Sequence, residues 1–203
     1  MAKARTRKSA QDRKHEIVET TIRLSGELGP NRVTTQRVAD AVGLTQPAIF
    51  RHFPTKSDLW DAVGDQVEVL IRPLAIEIAP DDARLDDPAQ MLHEALRSQL
   101  EFMVDHPAIC TILTSRELHA THEGMRLRIA RLMMGRRREL AALVEHGLAK
   151  GQYRKGLSPD DTALLILATI QGLSAQWSLE NRAFDLAEVG ERLLSGVLKS
   201  FLN

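Results

Sequence analysis

A single cysteine, Cys110, leaves no possibility of a disulfide within the chain, and a reducing cytoplasm is the expected home. Aromatic residues make up 4% of the 203 residues while hydrophobic residues reach 43%, a balance that suits helices packed through Leu, Ala, Ile and Val. No stretch approaches the roughly 18 uninterrupted apolar residues of a membrane span. The basic, polar N-terminal segment lacks the apolar region of a secretory signal, so no membrane partner is expected. Also missing are a Gly-rich phosphate loop, a nucleophile elbow and zinc-finger spacing. Hence no catalytic residue, no cofactor and no enzymatic activity are expected. Four residues raise the question of a metal: His106 and Cys110 stand four apart, His119 and His122 three apart, both helix-compatible spacings. Pro107 interrupts the first pair and no carboxylate is placed to orient the ligands, so no metal site is expected.

Net charge is absent too, but the zero conceals an asymmetry. Residues 1–60 carry 11 Lys and Arg against 6 Asp and Glu, whereas the remainder carries 16 against 21. Positive charge therefore gathers at one end, as it does where a polyanion binds. Most of it lies in Lys3, Arg5, Arg7, Lys8, Arg13 and Lys14. That arm reads either as a solubilising tail or as a segment that tracks a DNA backbone or enters the minor groove.

Almost every segment has a helical period and no credible strand is visible, so the fold class is all-α. Arg13 to Leu28 sets Ile17, Val18, Thr21, Leu24, Ser25 and Leu28 along one face and is stopped by Gly29-Pro30. Thr34 and Thr45 stand where they can cap a second and a third helix. Pro47 falls in the first turn of the third, where its missing N–H costs little, and Pro54 ends it. Thr55 and Asp58 form a capping box for a fourth helix, through Leu59, Val63, Val67 and Leu70 toward Pro73. After the acidic stretch Pro80 to Pro88, a helix is expected over Ala89 to Asp105, then one short helix over Ala108 to about Ala120. A long helix follows, with Leu127, Ala130, Met134, Ala141, Val144 and Leu148 on one stripe. Thr162 to Leu179 is apolar on nearly every side. The last helix carries Leu186, Val189, Leu193 and Val197 on one stripe, and Leu194, Leu198 and Phe201 on another.

The most informative segment is Thr34 to Phe53, TTQRVADAVGLTQPAIFRHF. Ala39, Gly43 and Ile49 sit at helix-turn-helix spacing: a small residue for close approach, a glycine for the tight turn, and a β-branched plug. Val38, Val42 and Leu44 complete the core beneath. Thr45, Gln46, Ala48, Arg51 and His52 are left facing outward, a surface suited to phosphate oxygens and base edges. Together with IFRHFPTKSDL, from Ile49 to Leu59, the segment resembles the DNA-binding domain of the tetracycline-repressor (TetR) family of bacterial transcriptional regulators. The resemblance runs from Arg13 to Val63.

The resemblance implies roles residue by residue. His52 and Lys56 hold phosphates, Lys56 at a helix N-terminus that already favours anions. Thr35 and Thr45 contact the backbone. Gln46, Pro47 and Ala48 meet base edges, the latter two through thymine methyls, and Arg51 reaches a guanine or a phosphate. Phe50 departs from the family's usual tyrosine, so ring packing remains there without a hydroxyl.

A helix that is apolar all round must be covered all round, and too few helices remain in the chain to do it. A second copy is the economical cover. Small residues, Gly172, Ala175, Ser195 and Gly196, permit close approach, and the resemblance likewise implies a homodimer built on the last two helices. The expected interface residues are Ala168, Gly172, Ala175, Val189, Leu193 and Val197. The resemblance also implies a pocket for a small apolar effector, for which Leu100, Phe102, Met103, Met133, Met134, Gln171 and Trp177 are candidates; methionines adapt to varied ligands. The expected organisation is a three-helix helix-turn-helix DNA-binding domain over 11–71 (motif about 34–53) and a helical bundle for ligand binding and dimerisation over 72–203. The expected function is that of a repressor on inverted-repeat operator DNA, released by its ligand. A ligand-independent DNA-binding protein that organises or coordinates chromosome loci is the alternative, and a helical enzyme a remoter one.

Overall fold

Helix signals along the chain become ten α-helices in the computed structural model, which describes residues 8–76, 83–154 and 156–200, apart from the side chains of 83 and 84. Arg5 and Arg7 of the basic arm, Asp81 and Asp82 of the acidic stretch, and Phe201 lie outside the described residues. Among those described there is no β-strand. Contacts divide the chain into two compact units, Met1–Leu70 with Pro107–Ile129, and Ile71–His106 with Ala130–Asn203. The partition at 71/72 expected from sequence assigns Pro107–Ile129 to the second domain; by contacts these residues join the first unit.

In the first unit, α1 (Ala10–Leu28) starts earlier than its apolar period, because Ser9 and Asp12 form a capping box. Its buried face is Ile17, Val18, Thr21, Ile22, Leu24 and Ser25, and the two hydroxyls are satisfied by the carbonyls of Ile17 (2.8 Å) and Thr21 (2.7 Å). Next come α2 (Thr35–Val42), α3 (Gln46–His52) and α4 (Lys56–Ile71). The single helix expected over 108–120 is instead two, α6 (Pro107–Thr114) and α7 (Arg116–Thr121). Ser115 separates them: its side chain accepts from the Leu118 N–H and caps α7. What draws α6 into this unit is a backbone approach to α1, where a Cβ at Gly26 would stand 2.7 Å from Ala108 Cβ. The first residues of α8 (Glu123–Ala149) close the unit. Arg128 lies across Gly64 and pairs with Asp65 (2.8 Å) and Glu68 (3.0 Å) of α4.

The second unit holds α5 (Pro88–Asp105), the remainder of α8, α9 (Pro159–Leu179) and α10 (Leu186–Lys199). Arg136 is its polar centre, with a side chain only 10% exposed. Its guanidinium donates to Gln99 Oε1 (3.1 Å), the Leu74 carbonyl (2.8 Å), the Ala95 carbonyl (3.2 Å) and Glu139 Oε2 (3.1 Å). Glu139 in turn accepts from the Ile76 N–H at 3.2 Å. Helix α10 lies close on α5: a Cβ at Gly190 would meet Leu100 Cδ2 at 2.6 Å. Trp177 closes the α9–α10 turn, donating from Nε1 to the Phe184 carbonyl at 3.0 Å while Arg182 stacks on its ring.

Two expected faces need correction, on the long helix and on α10. On the long helix Val144 is buried as expected, but Leu127 and Met134 are exposed, and Met125, Ile129, Leu140 and Leu143 are buried instead. Arg136 lies on the same inward face, at a position that periodicity reserves for apolar residues. On α10, Leu186 joins Gly190, Leu194 and Leu198 inside, leaving Val189, Leu193 and Val197 as the outer row. On α9, Ile166, Leu167, Ile170 and Trp177 face inward, whereas Leu164, Leu165, Ala168, Gly172 and Ala175 are exposed. By length and composition α9 is the one described helix apolar enough to cross a membrane, which the absence of an uninterrupted apolar run did not anticipate. Thr162, Ser174 and the two glutamines 171 and 176 break its run.

Candidate nucleic-acid interface

The motif is built from locally closed hydrogen bonds. Thr34 caps α2 by accepting from the Arg37 N–H, and Gly43 ends that helix in the left-handed region at φ 65°. A residue with a Cβ is strained there. The following N–H, of Leu44, returns to the Ala39 carbonyl at 2.9 Å and tightens the turn. Val38, Ala39 and Ile49 are fully buried, and Phe53 behind them carries Lys14 over its ring. Thr45 precedes α3 but makes no side-chain cap bond. Pro47 has no N–H to offer and the Ala48 N–H goes to the Thr45 carbonyl at 2.9 Å, so the capping role expected for that hydroxyl is not taken up.

Expected contact residues divide into three groups. Thr45, Pro47, Phe50, Arg51 and Lys56 are exposed, and Gln46 and His52 half-buried, on the outer side of α3 and at the start of α4. Ala48 is a correction: it is buried with Ile49, so outward apolar contact falls to Pro47 and to Phe50, which is 39% exposed. Thr35 is buried as well, and its hydroxyl accepts from Gln46 Nε2 at 2.7 Å. That bond fixes the Gln46 amide at the mouth of the recognition helix, a pairing across eleven residues that no local rule reveals. Arg5 and Arg7, as noted, lie beyond the described residues. At α4 the Thr55 N–H and hydroxyl both reach Asp58 Oδ2 at 2.8 Å, and the Asp58 N–H returns to Thr55 Oγ1 at 3.1 Å. This box holds the exposed Lys56 at the first helical position, beside N–H groups with no intrahelical acceptor.

The expected pocket residues are not all inside. Leu100 is buried against α10 and Trp177 is engaged in the turn described above; Met103 is buried, and Phe102 is half-buried against His106 at 4.5 Å between ring centroids. Met133 receives Gln171 Nε2 at 3.8 Å, but Met134 and Gln171 are exposed, which sets both on the outer surface. The histidines and the cysteine considered for a metal do not gather: among the described residues no three His, Cys, Asp or Glu side chains are grouped to hold an ion.

A short helix packed by a tight glycine turn on its neighbour, presenting an amide and a guanidinium with an ammonium at the start of the next helix, has the build of a helix-turn-helix reading head. Residues 17–63 match the family model described as bacterial regulatory proteins, tetR family, and residues 74–200 match that of the YsiA-like protein C-terminal region. The chain belongs to the TetR family of bacterial regulators. It is similar to the nucleoid occlusion factor SlmA of Haemophilus ducreyi, 31% identical over 130 residues, which are 64% of this chain and 63% of that protein. It thus spans under two thirds of that relative's length. The SlmA of Actinobacillus pleuropneumoniae serotype 5b is 28% identical over 78% of this chain and 76% of its own. Among solved structures, a TetR transcription regulator from Haloarcula marismortui aligns with a TM-score of 0.75 at 22% identity, over 95% of this chain and all of that one. SmeT, the repressor of the Stenotrophomonas maltophilia multidrug efflux pump SmeDEF, aligns at 0.73 with 19% identity over 96% and 92%. These structures share the fold.

Proposed function

We propose that the chain is a homodimeric transcriptional repressor that binds inverted-repeat operator DNA in the cytoplasm, is released by a small apolar molecule, and catalyses no reaction. The observation that carries the DNA-binding part is the outer row on α3 and α4, with Phe50, Arg51 and Lys56 exposed and Gln46 half-buried beside them. The uncovered apolar faces of α9 and α10 support the dimer, and a two-fold dimer reads half-sites about one DNA turn apart. Support for the ligand is chemical: the second unit is rich in Leu and holds Met91, Met103, Met133 and Met134, and a solved complex of SmeT holds triclosan.

The contacts divide by what they read. Lys56→Ala is expected to weaken DNA binding evenly across sequences and to flatten the salt dependence by about one unit, whereas Gln46→Ala alters sequence preference. Titrations of labelled duplexes, selected from a random pool, over several salt concentrations measure both. Unchanged affinity and slope in Lys56→Ala sink the phosphate assignment.

A second reading follows from the relatives that bear the name nucleoid occlusion factor. On it the chain binds DNA without answering to a ligand. Thermal-shift screening of apolar compounds, followed by duplex titration with each hit, separates the two. A ligand with 1–3 kcal/mol of preference for one state moves affinity about 5- to 150-fold. Hits that stabilise the protein and leave DNA affinity untouched favour the ligand-independent reading.

A further inference from the structure

Two threonines stand together at the start of α2, and the fold gives them different roles. Thr34 is exposed and commits its hydroxyl to the helix cap, accepting from the Arg37 N–H at 3.2 Å. Thr35, the first helical residue, is buried and takes no part in the cap. Its hydroxyl accepts instead from Gln46 Nε2 at 2.7 Å, across the junction of α2 and α3. Both ends of this bond stand on packed backbone: Val38 and Ala39, one turn on from Thr35, are buried, as are Ala48 and Ile49 just after Gln46. Gln46 itself is half-buried, and among the described residues this is the one hydrogen bond its side chain makes, so its Oε1 is open.

We propose that Thr35 is a positioning residue for base readout: it touches no DNA itself and holds the Gln46 amide in the orientation that meets a base edge. This rests on the DNA-binding reading above. A free glutamine turns about its side-chain bonds, and ordering it on a base gives up that freedom. Held by Thr35, the amide is ordered before DNA arrives. Meeting the right base then costs less, and the amide cannot turn to suit a different one. The bond also sets the pattern that the side chain offers. One Nε2 hydrogen goes to Thr35, and Oε1 is left as an acceptor for the exocyclic amino group of adenine or cytosine in the major groove. Burial keeps the bond closed in turn, because a buried hydroxyl without a partner is unfavourable.

The test uses the full chain as wild type, Thr35→Val, Thr35→Ser, Gln46→Ala, and a double variant carrying both Thr35→Val and Gln46→Ala. Each is put through selection from a random duplex pool and titrated on the duplex that the wild type selects. Thr35→Val is expected to lower discrimination at the base pair that Gln46→Ala also relaxes, by roughly three- to tenfold, the weight of one rotamer-rich side chain left unordered. Preferences at other positions stay as in the wild type, and Thr35→Ser, which keeps the hydroxyl, restores the discrimination. The double variant loses no more than Gln46→Ala, because Thr35 acts only through that side chain. In the wild type without DNA, NMR relaxation of the Gln46 side-chain amide is expected to give an order parameter near that of rigid backbone, about 0.85. This decides the matter if Thr35→Val is misfolded. An unchanged Thr35→Val profile, or an even loss of affinity across all sequences, overturns the proposal, the latter by making Thr35 a backbone contact of its own. So does an amide order parameter below about 0.6, or losses that add in the double variant. A wild type that selects no sequence while its Gln46 amide is rigid overturns instead the function on which the proposal rests.

Discussion

Replacing Leu193 with glutamate is expected to give monomers or aggregates whose affinity for a two-half-site duplex falls about 10²-fold or more. Leu193 is 44% exposed at the centre of the outer row of α10, between Val189 and Val197. Beside it α9 presents Leu164, Leu165, Ala168, Gly172 and Ala175 to solvent. Beyond their own helices, nothing lies within 4 Å of where a Cβ at Gly172 or Gly196 would stand, so the surface there is open to a close-packed partner. A buried, unpaired carboxylate in such an interface costs several kcal/mol. Once the subunits part, the second half-site is no longer engaged at the high effective concentration that linkage provides, a factor of about 10²–10⁴. Sedimentation at micromolar concentration and duplex titration read the two effects. A wild-type chain that sediments as a clean monomer overturns the dimer.

Arg136→Ala should destabilise the second unit by about 3 kcal/mol, because it removes a guanidinium only 10% exposed and leaves the groups it served without that donor. The Leu74 and Ala95 carbonyls, Gln99 and Glu139 lose their donor together. Burial lowers the guanidinium pKa and the Glu139 carboxylate opposes that shift, which marks Glu139 as the partner that holds the charge inside. Thermal unfolding is expected to fall by about 10 °C, at 2–4 °C per kcal/mol for a chain of this size. Arg138→Ala, on an exposed residue of the same helix, is the matched control. A midpoint for Arg136→Ala within 2 °C or so of that control would show that the network contributes nothing net.

The helix-turn-helix was legible because its instructions are local. Gly43 at a left-handed turn, the Thr34 cap and the Thr55–Asp58 box each act within a few residues, and each is found where the residue types require it. The same holds for Ser115, whose side chain caps α7 and so divides it from α6. Ala48 was harder. A helix of 7 residues makes only about two turns, too few for its period to fix the inward face, and packing beneath α3 decided it. The Gln46–Thr35 bond and the Trp60–His122 contact join residues distant in the chain, and spacing carries no trace of either.

Helix limits, the glycine turn and the basic end of the chain follow from residue types and their near neighbours, since caps, stops and backbone strain are settled within one turn. The faces those helices bury are another matter. Arg136 is held inside by the carbonyls of 74 and 95 that meet it there, and Met134, two positions earlier, falls on the opposite, exposed face. Pro107–Ile129 joins the reading head through the approach of Ala108 to Gly26. These outcomes depend on groups brought together from distant parts of the chain, where a buried charge or a missing side chain has a free-energy cost that only its eventual neighbours determine.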